Sequence, residues 1–173
     1  MNVEELKEGA EHAHNAGEKT IGLTMAIVAV LLAAATLMSH RAHTEVVVLQ
    51  TRVNDQWSYY QAKNIRSHEL EAFAKMEALN SNGKDLSAEF SKDAEKQRKD
   101  ADGIRKEAEN LDNETKVIEH RANYYDSAEL FLEISIVLCS VALLAELKLF
   151  WHLSFITTIL GVCVALWGML GVH

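Results

Sequence analysis

The stretch FSKDAEKQRKDADGIRKEAENLDNETKVIEHRANYY, residues 90–125, decides the fold. Alternate steps of four and three along it give Phe90, Ala94, Gln97, Ala101, Ile104, Ala108, Leu111, Thr115, Ile118, Ala122 and Tyr125. This is a heptad repeat, the pattern of a helix that buries one narrow seam against another helix. Ala94, Ala101, Ala108 and Ala122 hold one seam position, with Thr115 filling the gap. Ile104, Leu111, Ile118 and Tyr125 hold the other. A small residue in each heptad lets a partner backbone come close. Charges of both signs fill the remaining positions and read as a solvated helix face.

The partner lies upstream. From His40 to Leu79 the chain has no helix breaker, and Ala42, Val46, Leu49, Val53, Trp57 and Tyr60 continue a seam. After Tyr60 the pattern weakens through Ile65, Ala72, Met76 and Leu79. The two arms match in length and are separated by NSNGKD, residues 80–85. Asn82-Gly83 is expected to end the first arm in a left-handed conformation, and Asp85 to cap the second. Residues 40–127 thus predict an antiparallel helical hairpin, projecting ~60 Å at 1.5 Å per residue. Proline is absent from the whole sequence, which suits long unbroken helices.

Three apolar segments flank the hairpin. Residues 20–39 carry no charge after Lys19 and are long enough to cross a hydrocarbon core of ~30 Å. The acidic tail before them, residues 1–19, argues against a cleaved signal peptide. Residues 128–148 form the second segment, with Glu133 and Glu146 near its ends. Residues 153–172 form the third, which has no charged residue. Between them, Lys148, Phe150, Trp151 and His152 make a basic-aromatic cluster of the kind found at membrane interfaces. The expected fold is an all-α integral membrane protein, with three transmembrane helices and a coiled-coil-like hairpin between the first and second. Gly22/Ala26, Ala29/Ala33 and Gly161/Ala165 have the spacing of close helix packing in lipid.

A net charge of −8 speaks against a nucleic-acid groove. Cys139 and Cys163 sit inside apolar runs, with no zinc or disulfide pattern. No nucleophile-base set, phosphate loop or dinucleotide fingerprint is present, so neither enzymatic activity nor a cofactor is expected. His12 and His14, and His40, His43 and His120, are weak metal candidates without diagnostic spacing. A polar cluster at the membrane surface is expected from His40, Arg41, Arg121 and Glu133, in which the carboxylate one turn inside an apolar segment pairs with His40 or Arg41. Asn54, Gln56, Trp57 and Tyr60 are expected to form a polar-aromatic layer between the arms.

One seam buries little apolar area. Val47, Val48, Tyr59 and Phe73 lie off it and are expected to face a second copy of the chain. The expected partners are therefore the lipid bilayer, further copies of the chain and other membrane proteins. A structural or scaffolding role leads. An accessory subunit of a larger complex follows, then a homo-oligomeric channel or transporter whose pore Thr24, Thr36, Ser135, Ser140, Thr157 and Thr158 would line. The Lys/Arg balance across the segments is nearly even, and the hairpin is expected on the cytoplasmic side.

The run HRAHTEVVVLQTRVNDQWSYYQAKNIRSH, residues 40–68, resembles a bacterial membrane family known as domain of unknown function 4337. The acidic tail, the Ala/Leu-rich segment, the HRAHTE junction at His40–Glu45 and the stretch Asn54–Lys63 all carry the resemblance. It implies a bacterial inner-membrane location and no activity.

Overall fold

A computed structural model describes the backbone of residues 3–80 and 82–170, with side chains from Glu18 onward. Three helices account for nearly all of it: α1 (Val3–Ala78), α2 (Lys84–Ala145) and α3 (Lys148–Leu170). No strand occurs among the described residues. Helix α1 already begins at Val3, so the acidic segment read as a tail is the first part of a helix.

The chain forms two compact units. One comprises residues 1–44 and 117–173, the other residues 45–116. Each contains parts of both α1 and α2.

In the unit of residues 45–116 the two helices run antiparallel. Leu49, Val53, Ala74, Ala94, Ala101 and Ala108 are buried between them. Small residues bring the backbones close enough for side chain to main chain bonds across the seam. Ser67 Oγ donates to the Ala94 carbonyl at 3.1 Å, and Ser87 Oγ to that of Ala74 at 2.8 Å. Lys63 Nζ reaches Asp100 at 3.2 Å. The outer face of α2 is held by one-turn ion pairs such as Glu95–Lys99 and Glu109–Arg105.

The first arm keeps its seam beyond Tyr60, through Ser67 and Ala74. Ile65 and Met76 instead point outward, at 58% and 64% exposure. The apolar positions that weaken the pattern in the sequence belong to a different face.

The turn departs from expectation. Among the described residues no glycine has a positive φ. Leu79 and Asn80 donate to the carbonyls of Met76 and Glu77, tightening the last turn of α1. The Gly83 carbonyl accepts from Ser87 N at 2.8 Å, which makes Gly83 the residue that opens α2. Asp85 is then within the first turn rather than the cap, where its charge favours the helix N-terminus. Glycine is needed at 83 for space, because a Cβ there would lie 2.2 Å from the Glu77 carbonyl oxygen.

In the other unit α2 and α3 are joined by Glu146 and Leu147 alone. Glu146 has φ 53°, the left-handed conformation that commonly ends a helix. Helix α3 starts at Lys148, so the basic-aromatic cluster is its first turn and not a connection. Trp151 stacks edge-on against Phe155 and its Nε1 donates to Thr24 Oγ1 of α1 at 3.4 Å.

The buried residues of α3 are Ser154, Gly161 and Gly168, one every seven. A Cβ at Gly161 would meet the Ala128 carbonyl and Leu132 Cγ at 3.1 Å, and one at Gly168 would meet Tyr124 Cβ at 2.7 Å. Gly161 therefore lets α3 lie directly on α2. Gly22, Ala26, Ala29 and Ala33 are exposed and play no such part within the chain. Further in, Ser135 Oγ donates to the Ser154 carbonyl at 2.8 Å and Cys139 Sγ to Ser154 Oγ at 3.3 Å. Val28, Ala35 and Leu132 form the apolar contact of α1 with α2.

Candidate functional site

The most concentrated polar arrangement lies between α1 and α2, where the first apolar segment ends and the second begins. Thr36, Ser39 and His43 follow one another at three and four residues on α1, a spacing that places them on one helix face. Asp126 and Glu129, one turn apart on α2, face them. Ser39 Oγ donates to Asp126 Oδ1 at 2.5 Å, and His43 Nε2 lies 3.1 Å and 3.0 Å from Oδ1 and Oδ2. Thr36 Oγ1 donates to Glu129 Oε1 at 2.7 Å. Ala42, Ala122 and Tyr125 pack beside them as a small apolar cluster. Ser39 is buried, whereas the side chains of His43 and Asp126 are about half open to solvent.

Burial pushes the Asp126 carboxyl up. The hydrogen bonds from Ser39 and His43, with the charges of His43 and His40, outweigh it and hold the group below the usual carboxylate range. The arrangement is a charge-assisted hydrogen-bond latch joining the two helices.

The expected membrane-surface cluster takes a different form. Glu133 is exposed, and among the described residues no hydrogen bond or ion pair joins it to His40 or Arg41. The reason is helical phase. Leu132 takes the inward position at 1% exposure, and the next residue turns about 100° away from it. His40 and Arg41 are exposed, and His40 acts on Asp126 only through its charge. Arg121 is half-buried, with an Nε that has no hydrogen-bond partner among the described residues. Ser39 and Asp126 were not singled out by sequence reasoning, Thr36 was read only as a pore-lining candidate, and Glu129 only as a companion of the histidines near the membrane surface. The one available signal was His43, three residues beyond His40 and on the same side as Ser39.

Of the other expected sites, Ala94, Ala101, Ala108, Ile118, Ala122 and Tyr125 are buried, and Ile104 and Leu111 are half-buried. Asn54 is exposed, whereas Gln56, Trp57 and Tyr60 are half-buried. Trp57 and Tyr60 meet edge-to-face at 5.6 Å, one turn apart on α1. The side chains of His12 and His14 lie outside the described residues. Among the described residues no group of three His, Cys, Asp or Glu could hold a metal ion, and His120 is exposed. Cys139 is a buried free thiol and Cys163 an exposed one.

No curated protein and no solved structure matches this chain. One family model does, over residues 17–171, which takes in the first two apolar segments, nearly all of the third, both arms of the hairpin and the latch. The chain therefore belongs to the family described as Domain of unknown function (DUF4337).

Proposed function

We propose that this chain is a multi-pass membrane protein with a structural or scaffolding role, which self-associates through its apolar helices and its hairpin. One observation carries the reading. Each of the three helices contains a stretch long and apolar enough to cross a membrane, and those stretches are inside-out relative to a water-soluble bundle. Large apolar residues face outward, among them Leu23, Val30, Val137, Leu144, Ile156 and Trp167. Hydroxyl groups, thiol and glycines face inward, at Ser39, Ser135, Cys139, Ser154 and Gly161. An outer surface of that composition suits lipid and not water. The resemblance favours a bacterial inner membrane, and on the near-even Lys/Arg balance we place the hairpin in the cytoplasm.

A channel ranks lower on a specific ground. Thr24, Thr36, Ser135, Ser140, Thr157 and Thr158 all spend their hydroxyls on bonds inside one copy. Their hydroxyl protons are thus taken, and only acceptor lone pairs are left to face a pore. Alkaline carbonate extraction of membranes, followed by native mass measurement in mild detergent, tests the proposal. The protein should stay with the membrane and appear as a multiple of 19.3 kDa. Release by carbonate overturns the membrane reading, and a monodisperse monomer overturns self-association. A second chain at fixed ratio would make it an accessory subunit.

A further inference from the structure

We infer that the face of α1 bearing Val47, Thr51, Asn54, Ser58, Gln61 and Ile65 is where two copies of this chain pack, α1 against α1, parallel and in register. The inference rests on the self-association proposed above and names its surface and geometry. These six residues follow at steps of four, three, four, three and four, which is a second heptad stripe. All six are exposed, Val47 at 65% and Ile65 at 58%. None faces α2, whose seam on α1 runs through Leu49, Val53 and Ser67.

The two helices of this unit differ in a way that solvent exposure alone does not explain. Residues 45–77 of α1 contain nine Asp, Glu, Lys and Arg residues, whereas the equally long stretch 84–116 of α2 contains eighteen. Between 46 and 62 the only charges on α1 are Arg52 and Asp55, both off the stripe. Large apolar side chains are exposed along α1 at Val47, Val48, Tyr59, Ile65 and Met76, but on α2 within 84–116 only at Leu86 among the described residues. The second helix is dressed for water along its whole outer face, whereas the first is not between residues 46 and 62.

Charge complementarity selects the occupant. Two copies inserted the same way in one bilayer run α1 parallel, and a twofold axis along the helices sets each residue against itself. Such a contact tolerates no charge, because every charge would face its own copy. An uncharged stripe of mixed apolar and amide residues meets that requirement. Asn54 and Gln61, seven apart, can then pair amide to amide and fix register, as a buried Asn does in a coiled coil. A partner of different sequence would leave this neutrality unexplained. In the other unit the same helix also exposes Gly22, Ala26, Ala29 and Ala33, spaced for close helix approach in lipid.

Single cysteines in the full chain, with Cys139 and Cys163 replaced by Ala, test the contact in native membranes under mild oxidation. Ser58→Cys should give disulfide-linked dimer as the main species, and Lys106→Cys, on the outer face of α2, only a trace. Ser58→Lys should abolish the dimer in native mass measurement, as should Ser58→Glu. Co-expression of the two charged variants should restore it as a mixed pair, which also shows that both fold. Cross-linking equal at 58 and 106, or a charged variant that still dimerises, overturns the stripe while leaving self-association standing. A monomer from the unmodified chain overturns both.

Discussion

At Asp126 two carboxylate oxygens receive a serine hydroxyl and an imidazole from the neighbouring helix. The charged form is favoured in the fold, so the folded-state pKa lies below the unfolded one. A group of that kind stabilises the fold above the ordinary carboxylate range, and the contribution fades as pH falls from about 5 towards the folded value. Asp126→Asn should lower stability near neutral pH by about 1 kcal/mol, the half-open site discounting the larger value of a buried charged bond. Thermal unfolding of both forms in detergent, from pH 7 to pH 3, should show their difference shrink on the acid side. A difference constant with pH would mean that the carboxylate charge contributes nothing. His43, Thr36 and Glu129 were noticed in the sequence, but their pairing with Ser39 and Asp126 was not legible there. A serine, a threonine and two acids at the edges of apolar runs are ordinary there, and only the rotation of α1 against α2 decides which of them meet. Glu133 drew notice because it stood deeper in an apolar run, but depth says nothing about the side of the helix on which a residue lies.

At the scale of the element, α2 was readable because its seam alternates alanine with larger apolar residues against a heavily charged background. Ala108 is fully buried. Ala108→Leu should overpack the seam and cost about 1–3 kcal/mol. Gly103, five residues earlier in the same helix, would place a Cβ in open space. Gly103→Ala should therefore stabilise by about 0.5–1 kcal/mol, the ordinary helix-interior difference between the two residues. Paired denaturation curves check both, and a loss at Gly103→Ala would show a contact on that face. Helix α1 was read less well. Its seam passes from Leu49 and Val53 to Ser67 and Ala74, residues that a hydrophobic count does not see. Ile65 and Met76, which such a count does see, belong to the outward face. The turn was misread for a related reason. Gly83 looked like a residue chosen for left-handed φ, whereas the Glu77 carbonyl beside it makes space the requirement.

For the whole molecule, what matters is that both compact units are assembled from chain on either side of the turn. The unit of residues 45–116 pairs an α1 segment with an α2 segment, and the other joins residues 1–44 to 117–173. The peptide link near Lys84 is thus one covalent bond across contacts made many times over. These include Ser67 and Ser87 on carbonyls in one unit, and the Asp126 and Glu129 latch, the Val28 and Leu132 contact and the Trp151–Thr24 bond in the other. Loop closure over so short a turn contributes only a few kcal/mol of entropy. Cutting it should lower stability modestly without separating the halves. Co-expressing residues 1–82 and 83–173 as two chains, with an affinity tag on the first alone, should retrieve both in mild detergent. SDS should part them. Repeating this with Gly161→Leu, which drives a side chain into α2 within the second chain, should leave recovery intact, because that contact does not cross the cut. Joining Asp126→Asn to Ala108→Leu, which weakens α1–α2 contacts in both units, should reduce it. Failure of the unmodified halves to co-purify would mean that the hairpin connection, and not the packing of α1 on α2, holds the molecule together.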